Sequence, residues 1–261
     1  MMPVIFLSHG APSLLLDAGE TGTAWRQLAE GLPKPSSILV ISAHWESPVP
    51  TLSRAERPET IHDFSGFPEA LYHLQYPAPG APQLAESAAA LLRQAGIPVQ
   101  LDDVRGLDHG AWVPLSIMFP QADIPVTQLS LQSKQSPAWH LALGKALRPL
   151  REQGVLIIAS GSLTHNLRAV FKHPKGAGTP PWVTKFCDWV AERIDEGDVD
   201  ALCAYRTLAL YAELNHPTEE HFLPLFVALG AATNVEGAQH LNRVMTFDLL
   251  AMDVWLFDGE D

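Results

Sequence analysis

The chain has 261 residues, of which 47% are hydrophobic and 18% charged, which is typical of a soluble globular protein with material for a large core. Its net charge of −12 argues against nucleic acid and anionic membranes as partners, because both bind through basic patches. The N-terminus has no signal-peptide pattern, and the longest apolar stretch, 222–232, is shorter than the about 20 residues that span a bilayer. Cys187 and Cys203 match no metal-ligand spacing, so we expect packing residues and a reducing, cytoplasmic location.

Apolar runs rich in valine, isoleucine and leucine recur along the chain and are interpreted as buried strands. They lie at 4–7, 37–42, 99–101, 126–131 and 155–160. Because these runs lack polar alternation, they predict a mostly parallel sheet that is covered on both faces. Helical patterns lie between and after them, at 23–32, 82–96, 136–154 and 180–197. We therefore expect a single three-layer α/β/α domain over residues 1–261, with a mostly parallel, mixed central sheet.

Three further segments complete the order of elements. Residues 56–82 are rich in proline and aromatic residues, and a long structured loop of this kind is more often functional than not. A helix is predicted to begin with Thr218 as its N-cap, since apolar residues then recur at i, i+3, i+4 and i+7 from Phe222. The tail from residue 243 to 257 could close the sheet with one or two strands, which could be antiparallel.

Histidines follow several of the predicted strands. His9 follows the first strand, His44 the second, and His165 comes a few residues after the strand at 155–160. In open α/β sheets the ligand crevice lies outside the carboxyl ends of the strands, so these side chains are expected to project from one edge. Imidazole is the commonest protein ligand of divalent transition metals, and three neutral nitrogens leave positions open for a substrate. The pattern therefore predicts a multi-histidine metal site.

Two more histidines are candidates for this site. His221 falls in the first turn of the helix predicted from Thr218, and His109 lies in a glycine-flanked loop ahead of an apolar helix. A cation near a helix N-terminus is opposed by the positive end of the helix dipole. Glu219 and Glu220 could offset this field, or one of them could be a ligand itself.

The sequence lacks the motifs of several other enzyme classes, and its remaining histidines are weaker site candidates. There is no G-x-S-x-G elbow, Walker loop, Rossmann glycine pattern or H-E-x-x-H helix. His62 and His216 are intermediate candidates, because each lies in a segment dense in candidates. The remaining histidines are interpreted as structural or solvent-facing: His73, His140, His173 and His240.

Six motifs in order carry a family resemblance: FLSHGAPS, ISAHWES, TIHDFSGFPEALYHLQYPAPG, GLDHGAW, ASGSLTHNLR and HPTEEHFLPLFVALGA. From about residue 3 to 257 the chain resembles the class III extradiol ring-opening dioxygenases, and among them the DOPA dioxygenase branch. The resemblance implies a mononuclear non-haem Fe(II) centre, with Zn(II) often occupying it in purified protein. It also implies a small catechol substrate and O₂ as reaction partners.

The resemblance assigns roles to individual positions. His9, His44 and His221 match the metal ligands of the family. His165 matches a histidine that is regarded as catalytic or as a fourth, nearby ligand. His109 matches an active-site histidine that would contact bound oxygen or substrate.

The DOPA dioxygenase branch departs from the wider class at one ligand. Other class III enzymes complete the ligand set with a glutamate, whereas this branch aligns His221 in that place. The choice of His221 over Glu220 is therefore implied by the resemblance and not by spacing. His216 stands where the branch often has asparagine, so we do not predict it to be a ligand.

The implied mechanism uses both kinds of histidine. A catechol would chelate the metal through its two oxygens, and three neutral imidazoles would leave the full 2+ charge of the ion to favour the doubly deprotonated ring. His165 is our choice for taking and returning the phenolic proton, and His109 would steady the oxygen species by a hydrogen bond. Aromatic residues that could wall the ring are Trp45, Phe64, Phe67, Tyr72 and Tyr76.

Two other functions remain open at this level. A zinc hydrolase or amidase on a similar α/β scaffold would be active with zinc and without oxygen. A non-catalytic relative acting as an interaction module would be favoured by missing ligand positions, but all of them are filled here. The sequence also leaves open which catechol is opened and whether the protein is a monomer or a homodimer.

Overall fold

Ten strands lie within residues 1–259, the part of the chain that the computed structural model describes. In chain order they are β1 (Val4–Ser8), β2 (Ser37–Glu46), β3 (Thr51–Ser53), β4 (Gln100–Asp102), β5 (Val126–Leu131), β6 (Val155–Gly161), β7 (Gln239–Asn242), β8 (Met245–Thr246), β9 (Leu250–Ala251) and β10 (Val254–Phe257). Each of the predicted strands is present.

Eight of these strands form one central sheet in the order β4-β3-β5-β2-β6-β1-β10-β7, while β8 and β9 form a separate hairpin. The pairs β1–β6, β2–β6, β2–β5 and β3–β4 are parallel. The pairs β3–β5, β1–β10 and β10–β7 are antiparallel. The prediction of a mostly parallel, mixed sheet is confirmed, and the tail closes it with antiparallel pairing.

Helices cover both faces of the sheet. In chain order they are α1 (Gly19–Gly31), α2 (Pro82–Gln94), α3 (His109–Met118), α4 (Pro137–Leu147), α5 (Leu167–Lys172), α6 (Pro181–Asp195), α7 (Val199–Cys203), α8 (Tyr205–Leu208), α9 (Ala212–Asn215) and α10 (Leu223–Ala231). Val4 and Phe6 of β1 belong to the same apolar cluster as residues of α2, α4, α6 and α10, whereas Ile5 and Leu7 belong to a second cluster with residues of α1 and α3. Successive strand residues point to opposite faces, so the predicted three-layer α/β/α arrangement is confirmed.

Two predicted helices differ from those observed. The helix predicted over 136–154 ends at Leu147 and continues as a 3₁₀ helix from Arg148 to Gln153. Pro149 explains this change, because proline has no N–H for an i−4 hydrogen bond and its ring crowds the preceding turn. The part of the chain described contains no helix that is both long enough and apolar enough to cross a membrane.

The helix predicted from Thr218 is also shorter than expected. It begins at Leu223 with Phe222 at the N-cap, and Pro224 lies in its first turn, where a missing N–H costs nothing. The Thr218 hydroxyl donates to Oε1 of Glu220 (2.9 Å) and does not cap a helix. The prediction that His221 lies in the first helical turn is therefore wrong, and His221 lies in the turn that precedes α10.

Candidate metal centre

The carboxyl ends of three neighbouring strands bring the candidate ligands together. Strand β6 lies between β2 and β1, with Ser42 paired to Ser160 and Ser8 paired to Gly161. His9 follows β1 directly. His44 lies inside the last part of β2 and not after it, because this strand continues past its predicted end to Glu46. The crevice at this edge is where ligands bind in open α/β sheets.

Glycine at position 10 allows the chain to turn away directly after His9. Gly10 has a φ of +63°, a left-handed conformation that side-chain-bearing residues rarely adopt. A Cβ at this position would also lie 2.6 Å from Cε of Met252. The sequence Ser-His-Gly therefore ends the strand on a histidine and removes the following backbone from its path.

A second glycine lets His221 reach the same edge. A Cβ on Gly161 would lie 2.2 Å from the carbonyl oxygen of His221, so only glycine permits this approach. The Ser162 N–H donates to the same carbonyl (2.8 Å). The turn before α10 is thereby attached to the end of β6, which places His221 beside His9 and His44.

The three side chains converge on one point. His9, His44 and His221 each offer a ring nitrogen, and these atoms all lie within 4.8 Å of one another. Nε2 of His9 and Nε2 of His44 are 2.9 Å apart. Two nitrogens bound to one ion at about 2.0–2.1 Å are expected at about this separation. Nε2 of His221 is buried and has no hydrogen-bond partner within residues 1–259. This donor set fits a divalent transition metal ion.

The outer nitrogens of two of these rings contact other side chains. Ser160 donates its hydroxyl proton to the Gly110 carbonyl, so its oxygen is free to accept from Nδ1 of His9, 2.9 Å away. This contact keeps the proton on Nδ1 and leaves the Nε2 lone pair for a metal. Nδ1 of His221 lies 3.2 Å from Oε1 of Glu220. Glu220 thus contacts the ring of His221 from its outer side.

Burial keeps the candidate ligands neutral. Burial lowers the pKa of His9 and of His221 well below the ordinary value, and the neighbouring histidines lower both further. Burial, with His109 next, lowers the pKa of His44 to about 3, although Asp63 opposes the shift. A histidine must be deprotonated at one nitrogen to bind a metal, so all three rings are ready for this role at neutral pH.

His165 lies directly against one of the candidate ligands. Its ring stacks on that of His221, with centroids 3.4 Å apart and planes 10° from parallel. His165, Glu220 and His221 also offer donor atoms within 4.8 Å of one another. Burial lowers the pKa of His165 to about 4, and Glu220 partly offsets this effect. A neutral imidazole in this place can accept a proton from a ligand that is bound beside it.

His109 completes the group from the opposite helix layer. It is the first residue of α3, and its ring centroid lies 3.9 Å from that of His44. Oδ1 of Asp63 accepts a hydrogen bond from the His109 backbone N–H (2.8 Å), and Oδ2 lies 3.0 Å from Nδ1. Burial raises the Asp63 pKa, but the contacts with His109 lower it and prevail, giving a pKa of about 2. Asp63 is therefore an anion beside the site.

The aromatic candidates divide into two groups. Phe64 stands edge-on to His109 at 5.8 Å between ring centroids and packs against Phe67 and Tyr72. Tyr76 and Trp45 are core residues. The Tyr76 hydroxyl donates to the Phe119 carbonyl, and the Trp45 ring lies under the Arg105 guanidinium. The structure therefore brings only the group of Phe64, Phe67 and Tyr72 to the histidines.

The intermediate candidates His62 and His216 have partners elsewhere, as does His140, which is interpreted as structural. Nε2 of His216 lies 2.8 Å from the Leu163 carbonyl, and its ring packs against Phe186 and Phe222. Nε2 of His62 lies 2.9 Å from the Leu74 carbonyl. His140 is buried in α4, with Nδ1 3.0 Å from the Ser136 carbonyl.

Sequence reasoning did not single out Ser160, Asp63 or Asp108, and found for Glu220 only a field-offsetting or ligand role. Asp108 is fully buried and accepts hydrogen bonds from Ser42 (2.6 Å) and Gln128 (2.8 Å). The Ser42 oxygen in turn accepts from the His44 backbone N–H (3.2 Å). The sequence does contain one signal for the two aspartates. Asp108 directly precedes His109, and Asp63 follows His62 within the loop at 56–82.

Comparison with known proteins gives consistent similarities. The family described as the catalytic LigB subunit of aromatic ring-opening dioxygenase matches residues 3–250, a span that includes all five site histidines. A 4,5-DOPA dioxygenase extradiol from Beta vulgaris is 45% identical over 232 residues, which cover 87% of this chain and 85% of that protein. The 4,5-DOPA dioxygenase extradiol of Escherichia coli (strain K12) is 43% identical over 238 residues, 88% of this chain and 85% of that protein. The crystal structure of the Escherichia coli K12 protein JW3007 has a TM-score of 0.84 and 36% identity, covering 98% of this chain and 100% of that one.

Proposed function

The chain belongs to the LigB family of aromatic ring-opening dioxygenases and is an extradiol dioxygenase, which is a type of oxidoreductase. On this premise we propose that it opens the ring of a DOPA-like catechol. The reaction would take place at an Fe(II) ion held by His9, His44 and His221. The observation that carries this proposal is the convergence of three neutral imidazoles at the carboxyl edge of the sheet. Several relatives named 4,5-DOPA dioxygenase extradiol support the choice of substrate class.

The ligand set suits a substrate that must lose protons. Fe(II), when bound, supplies a centre that chelates both catechol oxygens and connects the ring electronically with O₂. His9, His44 and His221 carry no charge of their own, because burial holds each pKa low. They therefore leave the charge of the ion to favour the deprotonated catechol, which a carboxylate ligand would do less well.

Proton transfer falls to His165 in this proposal. Its stacking on His221 supports a position next to the ligand sphere, and its lowered pKa supports a neutral ring that accepts the phenolic proton at a ring nitrogen. The same nitrogen returns the proton later in the reaction. His109, on the other side of His44, would form a hydrogen bond on the oxygen side of the reaction.

The catechol ring would lie against the aromatic residues of the 56–82 loop. Phe64 is in ring contact with His109, and Phe67 and Tyr72 extend this surface outwards. Flat aromatic side chains favour an aromatic substrate in offset or edge-on geometry. This arrangement supports a catechol over an aliphatic diol.

The deciding experiment is reconstitution without oxygen. The metal-free chain is loaded with Fe(II) anaerobically, and O₂ is then added with DOPA, caffeate or protocatechuate. We expect a yellow ring-opened product and O₂ uptake in equal amounts with DOPA, and none with Zn(II)-loaded protein. If no catechol consumes O₂ while the zinc form cleaves amides or esters, a hydrolase is the better assignment. If neither form is active, the non-catalytic interpretation is preferred.

Four further points stay predictions. They are zinc occupancy of the purified protein, a cytoplasmic location, a single domain over residues 1–261, and a monomeric or homodimeric state. Cys187 is buried in α6 and Cys203 is partly buried, which supports the expectation that they are packing residues. Metal analysis of protein purified without added iron, together with its mass in solution, tests two of these points.

A further inference from the structure

The carboxylate of Asp63 makes two contacts with one residue of the site. Oδ1 accepts from the His109 backbone N–H at 2.8 Å, and Oδ2 lies 3.0 Å from Nδ1 of the same histidine. The side chain of Asp63 is 22% exposed, and the residue as a whole reaches the solvent. One carboxylate thus contacts both the backbone and the ring of His109.

Asp63 takes the place of the ordinary helix cap. Asp108 is the N-cap residue of α3, but its side chain makes no capping hydrogen bond, because it accepts from Ser42 and Gln128. The free N–H groups at the start of a helix need an acceptor, and an anion there is favoured by the helix dipole. Asp63 supplies an acceptor and a negative charge from a loop that is distant in sequence, so its position is tied to the start of α3.

The loop around Asp63 is held in place on the same helix. The Ile61 backbone N–H donates to the Leu107 carbonyl (2.8 Å), and the Trp112 indole N–H donates to the Ile61 carbonyl (2.9 Å). Phe64, next to Asp63, packs edge-on against the ring of His109. The carboxylate is therefore presented to His109 by a fixed backbone, with an aromatic ring beside it.

The charge of Asp63 favours one nitrogen of His109 as the site of the ring proton. Nδ1 makes no aligned hydrogen bond within residues 1–259, but the anion 3.0 Å away favours the proton on this nitrogen of a neutral ring. Nε2 then has the free lone pair and is the nitrogen outside this contact. Oδ2 of Asp63 also lies 3.8 Å from Nδ1 of His44, which is too far for a hydrogen bond. Asp63 therefore acts chiefly on His109.

We propose that Asp63 is a positioning residue for ring opening, which fixes the ring orientation and the Nδ1–H tautomer of His109 so that Nε2 is presented to the bound substrate and oxygen. This inference rests on the proposed function of the site. Asp63 itself touches neither the ligand set at hydrogen-bond distance nor the reacting atoms. Its effect passes through His109.

Asp63→Asn tests the proposal with little disturbance of the fold. The asparagine oxygen can still accept from the His109 N–H, and asparagine is as good a cap as aspartate. Its amide N–H₂ then faces Nδ1 and forces the proton to Nε2. We expect kcat to fall about 10–100-fold, the range seen when an outer partner of a site histidine is removed, with KM and iron content close to wild type. Asp123→Asn, in an exposed ion pair with Lys34, is the matched control and should keep wild-type kcat.

A double-mutant cycle separates positioning from a general structural role. In a His109→Ala background, Asp63→Asn should cause no further loss of kcat, because the ring that it positions is absent. The proposal is overturned if Asp63→Asn has wild-type kcat, if its loss persists in full in the His109→Ala background, or if it loses iron.

Nuclear magnetic resonance tests the same point without turnover. In zinc-loaded protein with ¹⁵N-labelled histidine, the His109 ring should be protonated at Nδ1 in the wild type and at Nε2 in Asp63→Asn. Protonation at Nε2 already in the wild type refutes the role of Asp63. If the tautomer changes as expected but no catechol is opened by the wild type, the proposed function fails and the positioning role stands.

Discussion

The histidines at the sheet edge and those buried among helices look alike in their individual properties. His140 in α4 and His216 before α10 are fully buried, as His9 nearly is. Burial lowers the pKa of His140 to about 4 and that of His216 to about 3, comparable with His44 in the cluster. Each of these two also has one ring nitrogen near a backbone carbonyl and one that is buried without a partner within residues 1–259.

The two groups differ in where the free nitrogens lie. The ring of His216 packs between Phe186 and Phe222, and His140 packs against Trp139. No donor set that includes either ring is found among the described residues, whereas His9, His44 and His221 each offer a ring nitrogen within 4.8 Å of the other two. Burial and a low pKa therefore do not identify a metal site. Convergence of several lone pairs does.

The largest effect on iron binding and activity should come from removing the imidazole ring of one of the three proposed metal ligands. We expect His9→Ala, His44→Ala and His221→Ala each to retain less than about a tenth of the wild-type iron after anaerobic loading and desalting, and to lose more than about 10³-fold in activity, since the open site needs all its ligands. His140→Gln is the matched control and should load fully. Full loading of any of the three alanine variants would remove that residue from the ligand set.

His165 gives a sharper contrast, because its ring stacks on His221 and we expect it not to be needed for metal binding. His165→Ala should keep most of its iron and lose about 10²–10⁴-fold in kcat, the usual worth of a positioned acid or base. Metal analysis and steady-state kinetics on the same preparation separate the two effects. Iron content as low as in His221→Ala would instead make His165 a fourth ligand.

The smallest effect concerns the stability that a buried neutral histidine contributes. The folded-state pKa of His140, about 4, lies below its ordinary value of 6.5, so the unfolded chain takes up the proton first as the pH falls. The contribution is therefore complete above pH 6.5 and is lost on acidification towards pH 4, with a slope of about 1.4 kcal/mol per pH unit for one proton.

Urea unfolding of metal-free protein between pH 7.5 and 5 measures this slope. The free energy of unfolding of His140→Gln should change less steeply with pH than that of the wild type, by up to about 1.4 kcal/mol per pH unit. The histidines of the cluster titrate in both proteins, so their contributions to the difference cancel. Identical slopes would show that the pKa of His140 is the same in the folded and the unfolded protein.

Local sequence predicted the framework of this protein well. The continuous apolar runs correspond to β1, β2, β4, β5 and β6, and His9 comes at the end of the first. The start of α10 was predicted wrongly, because the cap signal of Thr218 is a local one. Packing of the 218–222 turn against Gly161 overrides it.

Chain order and hydrophobic pattern by themselves determined the layers, the sheet and the edge at which histidines would collect, because parallel strands bring their carboxyl ends to one side. Only the tertiary structure decided which nitrogens face each other and which partners hold their protons. Ser160 is 151 residues from His9, and Asp63 is 46 residues from His109. A ring's tautomer depends on such contacts within about 3 Å, and no local pattern in the chain encodes them.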